Sequence, residues 1–164
     1  MRGIGAALTG MFTVLLLRST LLAGLAARGI VIDVLVLATV FWGLRGGAGW
    51  GASFGFVIGL CADLDAAHWL GRHALGLSLL GYLVGRLSGT LVRDSVSTQF
   101  LLLVLATAAH QAWSIAFELG GFLAWPEVLL RVVVGAIATG ILGAIVLAFT
   151  NRWKGPFAAS GKAI

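Results

Sequence analysis

Five side chains with ionic or metal-binding capacity fall within eleven residues: Asp63, Asp65, His68, Arg72 and His73. Two carboxylates and two imidazoles could in principle hold a metal ion. Their spacing, however, fits neither the HExxH arrangement, in which both imidazoles share one helical face, nor a Cys/His zinc pattern. Arg72 offers Asp63 or Asp65 an equally good counter-ion. Ion pairing and turn formation at a membrane interface are therefore the expected use, with no metal and no cofactor. His110 and Gln111 lie inside a long apolar run, where an unsatisfied polar group costs several kcal/mol, so each is expected to hydrogen-bond to a neighbouring helix. A proton relay would need more partners than these. Ser78, Ser88 and Ser114 lack the GxSxG turn that exposes a nucleophile, and the chain has neither a phosphate-binding loop nor a dinucleotide fingerprint. No catalytic residue is assigned, and the chain is not expected to be an enzyme.

The elements that carry these groups must be built for lipid. Of 164 residues, 60% are hydrophobic and 10% charged, where soluble domains carry about 25% charged residues. Mean hydropathy is +1.05. A water-soluble chain of this size buries only about 70% of its surface, so this much apolar material needs an apolar solvent. The formal charge of +5 comes from basic residues scattered singly between apolar runs, unlike the stripe a nucleic-acid binder presents. Cys61 is the single cysteine and cannot pair within the chain. The glycines follow no triplet period and there are two prolines, which removes collagen-like and disordered readings.

Apolar runs cover residues 4–27, 30–44, 50–67, 75–91, 100–125 and 128–150, each near the roughly 20 residues that cross about 30 Å of hydrocarbon. The second is short and has Asp33 close to its start, which predicts a tilted or partly buried span. Spanning structure must be helix or closed barrel, and runs without period-two alternation select helix. The predicted fold is an all-α, six-transmembrane-helix bundle forming one integral membrane domain over residues 1–164, with 151–164 as a short tail. Placing the N-terminus in the cytoplasm puts Arg2, Arg45, Arg86, Arg93, Arg152, Lys154 and Lys162 inside, and Arg18, Arg28, Arg72 and Arg131 outside. That asymmetry predicts cytoplasmic termini. A cleaved signal peptide is disfavoured because apolar character resumes after Arg18 without a small-x-small site. Trp42, Trp50, Trp69, Trp113, Trp125 and Trp153 fall mostly at span ends, where indole rings anchor in the headgroup region.

Gly47, Gly51, Gly55 and Gly59 recur at four-residue intervals in the third run, and Gly81, Gly85 and Gly89 do so in the fourth. The sixth carries Ala136, Gly140, Ala144 and Ala148 at the same spacing. On a helix this spacing lines one face with residues that let another backbone approach closely. Such a face serves either to pack the bundle against itself or to dock the transmembrane helix of a partner, and the stripe by itself leaves both open.

The order FWGLRGGAGWGASFGFVIGLCADL from Phe41, then LGRHAL from Leu70, then GYLVGRL from Gly81, resembles the MreD family of rod-shape membrane proteins. RSTLL at Arg18 to Leu22 extends the likeness, with Asp63 as the acid of the third helix. The loop DAAHWLGR and the charge of Arg18 depart from the usual pattern. The resemblance implies a fold similar to the substrate-binding subunits of energy-coupling-factor transporters. It also implies a non-enzymatic role in the bacterial cytoplasmic membrane, as a scaffold binding MreC in a complex with the MreB filament, RodA and a class B penicillin-binding protein. Such a scaffold helps regulate peptidoglycan synthesis and cell shape. The chief alternative is a substrate-binding subunit for a vitamin-type solute, with an outward pocket around Asp63, Asp65, Arg72 and His73. A third is a lipid-handling protein.

Overall fold

The computed structural model describes residues 2–22, 32–66, 70–88, 96–118 and 125–152, and no strand occurs among them. Helix α1 spans Arg2–Leu17 and continues as a π turn, Arg18–Leu22. It is followed by α2 (Val34–Ala66), α3 (Arg72–Leu87), α4 (Val96–Glu118) and α5 (Trp125–Arg152). Two of these, over Val34–Asp65 and Val132–Phe149, are long and apolar enough to cross a membrane.

Although α2 runs for 33 residues, it is not one rod, because Gly47 interrupts it with φ 80 and ψ −174. A Cβ placed on Gly55 would lie 3.0 Å from the methyl of Thr39, and one on Gly51 would lie 2.9 Å from the Cα of Gly43. In a continuous helix Thr39 and Gly55 would stand about 24 Å apart. Their contact requires the arms 34–46 and 48–66 to run antiparallel, with the chain reversing at Gly47. The second and third apolar runs are therefore a helical hairpin whose turn needs a residue able to adopt positive φ. Gly47, expected to open the glycine row, is that turn residue.

The rest of the row faces α3. A Cβ on Gly51 would strike the carbonyl of Gly81, one on Gly55 the carbonyl of Leu77, and one on Gly59 the Cα of Ala74. In return, Gly81 meets the backbone of Gly51, and Gly85 meets that of Gly47 and Ala48. Gly51, Gly55, Gly59, Gly81 and Gly85 are all buried. The two stripes thus interlock backbone against backbone, and the space that an incoming helix would need is filled from within the chain. Gly89 lies outside the described residues. The sixth-run stripe also packs internally: Gly140 sits against Val104 and Phe100 of α4, and the adjacent Gly143 against Leu103.

Val36, Val40, Ile58, Leu77 and Leu103 are fully buried. Trp42 is buried too, its ring 5.5 Å from that of Phe54 and its indole 3.6 Å from a Cβ built on Gly10 of α1. It is a core residue and not a headgroup anchor. The outward faces carry Leu8, Phe12 and Leu16 on α1 and Ile137, Ile141 and Ile145 on α5, as expected where the surrounding medium is as apolar as the core. Helix α4 ends at Glu118, and Trp125, expected to close the fifth run, opens α5 instead. Pro126 explains the start, since its missing N–H is tolerated only in a first turn.

Two substitutions separate turn from packing. Gly47→Ala should lower the thermal unfolding midpoint in detergent by the equivalent of about 1–3 kcal/mol through backbone strain alone, because nothing lies within 4 Å of the added methyl. Gly55→Leu should abolish recovery of a monodisperse bundle by gel filtration, because its side chain would occupy the position of the Leu77 backbone.

Candidate functional site

Helix α3 starts without a side-chain cap of its own; Gly71 precedes it with φ 99. A helix start exposes unpaired N–H groups, and where that start is buried no water is present to satisfy them. Asp63, at the far end of α2, meets this need. Its Oδ2 accepts from the N–H of Gly71 (3.0 Å) and of Ala74 (3.0 Å). Its Oδ1 accepts from the N–H of His73 (3.0 Å) and faces His73 Nδ1 at 2.8 Å. The carboxylate is completely buried. Its charge lies on the axis of the α3 dipole, where an anion is stabilised.

A second carboxylate–imidazole pair abuts the first. Asp33 caps the first arm of α2 by accepting from the N–H of Val36 at 3.1 Å. Its other oxygen faces His110 Nδ1 of α4 at 2.6 Å, while its own N–H donates to Thr139 Oγ1 of α5 at 3.0 Å. The rings of His73 and His110 are 5.6 Å apart. Trp113 Nε1 donates to the carbonyl of Arg72 at 3.1 Å, tying α4 to the start of α3. Four helices thus converge on one polar junction at a single end of the bundle, because the reversal at Gly47 brings Asp33 and Asp63 to the same level.

The structure divides the expected polar cluster. Asp63 and His73 are joined; Asp65 is exposed; His68 lies outside the described residues. Arg72 does not serve as the counter-ion of Asp63, which is held by the helix end and His73; its Nη2 lies 3.4 Å from His73 Nε2. The backbone N–H groups of a helix start already converge where Asp63 sits, whereas a long guanidinium would have to be desolvated to reach it. His110 does bond to a neighbouring helix, through Asp33. Gln111 Nε2 is buried without a partner among the described residues. The pairing of Asp33 with His110, 77 positions apart, was missed in the sequence. The only signal for it was two lone polar groups in separate apolar runs.

Chemically, an ionised carboxylate only accepts, so each facing Nδ1 carries a hydrogen. That geometry orients a base, but among the described residues no serine or cysteine is bonded to either imidazole. Among the described residues no group of three or more His, Cys, Asp or Glu could hold a metal either. Both oxygens of Asp63 are taken up by N–H groups, which leaves neither for a solute. The arrangement joins helix ends.

These features define an all-helical membrane protein whose buried polar groups hold the bundle together. The pattern of the family described as rod shape-determining protein MreD matches residues 1–154, nearly the whole chain. The chain belongs to the MreD family, a family of shape-determining membrane proteins and not a known enzyme family. No curated protein and no solved structure matches it.

Asp63→Ala should destabilise the bundle by about 3–5 kcal/mol, since it leaves a buried imidazole and three N–H groups without their acceptor, whereas exposed Asp65→Ala should stay within about 0.5 kcal/mol. Chemical denaturation in mixed micelles reads both. A double-mutant cycle of Asp33→Ala and His110→Ala should give a coupling of about 0.5–3 kcal/mol; strictly additive effects would contradict the pairing.

Proposed function

We propose that this chain is a non-enzymatic scaffold of the bacterial rod complex, spanning the cytoplasmic membrane as a six-helix bundle with cytoplasmic termini. It binds the transmembrane helix of MreC and through it helps regulate peptidoglycan synthesis and cell shape. A fold similar to the substrate-binding subunits of energy-coupling-factor transporters belongs to the same reading. Contacts with RodA, the class B penicillin-binding protein and the MreB filament would come through the assembled complex.

Membership of the family carries this reading, and the packing adds to it. In lipid, helices associate through shape and polar contacts and not through exclusion of water, so a scaffold for another helix must itself be rigid. Interlocked glycine rows and the polar junction supply that rigidity. Since the glycine rows are consumed internally, MreC rests on an outward apolar face. Holding its helix there biases the position of its periplasmic part by no more than the difference in binding energy between the two positions.

A photocrosslinking amino acid at Phe12, Phe56, Leu83 or Ile141, each exposed and each on a different helix or arm, samples the outward faces in cells. We expect tagged MreC to be captured from one face and not from the others. Capture from none, with every variant folded and inserted, would end the scaffold reading.

A further inference from the structure

Where the start of α3 meets α4, two imidazoles lie side by side. The rings of His73 and His110 are 5.6 Å apart, and each presents its Nδ1 to a carboxylate. Their other nitrogens have no acceptor to turn to. His73 Nε2 faces Arg72 Nη2 at 3.4 Å, and a guanidinium carries hydrogens but no acceptor. His110 Nε2 is buried with no partner among the described residues.

A protonated imidazole donates from both nitrogens. Because Nδ1 already carries the hydrogen that meets the carboxylate, an added proton goes to Nε2. On His73 the new N–H would point at a cation that itself only donates. On His110 it would be a charged donor buried without an acceptor, which costs more than a neutral unpaired nitrogen. The surrounding charges do not lift this obstacle. Those that reach His73 are Asp63 of α2, Arg72 of α3 and His110 of α4, and those that reach Asp33 are the same two rings. Both carboxylates stand on the Nδ1 side, and α5 contributes only the uncharged hydroxyl of Thr139, bonded to the Asp33 N–H. The carboxylates are also balanced without charged rings: Asp63 accepts three backbone N–H groups at the start of α3 and Asp33 accepts one at the start of α2, each at the positive end of a helix dipole.

The packed junction therefore has room for two neutral rings and for no charged one. An arrangement in which α3 and α4 have drawn apart, so that Nε2 gains an acceptor, binds a proton better. Linkage then fixes the sign: acid favours the separated arrangement and neutral pH the packed one. We propose that the junction is an acid-released clasp, in which proton uptake by His73 or His110 separates the start of α3 from α4 and breaks the bond from Trp113 Nε1 to the Arg72 carbonyl. The groove between α3 and α4 begins at this contact, with Gly76 and Trp113 in its lining, so release there widens it. The clasp does not depend on the scaffold reading, and either can fail without the other.

The test places pairs of nitroxide labels on the full chain in phosphatidylcholine nanodiscs, on a Cys61→Ser background, and reads distances by pulsed electron resonance. Leu75→Cys with Ala112→Cys, both exposed positions, spans the clasp; Leu75→Cys with Leu64→Cys, also exposed, spans the interface of α2 with α3 as a reference. Between about pH 7.5 and about pH 5, which bracket the ordinary imidazole range, we expect a longer 75–112 distance to grow at least about tenfold in population, while the 64–75 distance stays fixed. His68→Gln, which removes the third histidine, should leave this change intact. His73→Gln combined with His110→Gln should abolish it. Arg72→Gln should suppress it, because an amide carbonyl can accept from Nε2 and lets His73 take its proton in place. A 75–112 distance that ignores pH would overturn the proposal, as would opening that persists in the double glutamine variant or is undiminished in Arg72→Gln. An equal change in the reference pair would do so as well, since it would mean general loosening in acid.

Discussion

The start of α3 leaves backbone N–H groups in need of an acceptor, and the carboxylate of Asp63 answers that need. In water the free N–H groups of a helix start are solvated at little cost; buried within the bundle they are not. A charge reaching across from the preceding helix satisfies them and places a negative group at the positive end of the helix dipole. The same carboxylate fixes the tautomer and orientation of His73, whose ring lies beside that of His110. Neither Asp63 nor the start of α3 is tolerable there without the other, so the interface between α2 and α3 has one register.

That register is then enforced by the absence of side chains. With Gly51, Gly55 and Gly59 against Gly81, Leu77 and the start of α3, a shift of one residue along either helix would drive a Cβ into a carbonyl. Close backbone approach also brings each atom within dispersion range of many others, which is a principal source of helix attraction in lipid. The glycine excess and the buried acid therefore belong to one interface: the acid sets where α3 begins, and the glycines set how near it comes.

These constraints bear directly on what a family of shape-determining membrane proteins has to do. Among the described residues the small-residue faces of α2 and α3 are occupied. What the described helices present to their surroundings is apolar relief: ridges of branched side chains on α1 and α5, and the groove between α3 and α4. Recognition by such surfaces rests on shape and on isolated hydrogen bonds, which in lipid are made without competition from water.

Much of this was legible in the residues themselves. Apolar runs near the thickness of a membrane, the choice of helix, the small-residue stripes and the weight of Asp63 follow from composition, period and solvent, all of which act locally. The stripes could not reveal their occupant, because a flat face looks the same whether its neighbour is inside the chain or outside it. Gly47 read as one more member of a row until its positive φ made it the turn. Asp33 and His110, far apart in the chain, became a pair only because that turn carries the start of α2 back to the level of its end. Local chemistry determined that the chain is helical and lives in lipid; which surfaces meet, and which polar groups find each other, depends on long-range chain reversals that no short window of residues encodes.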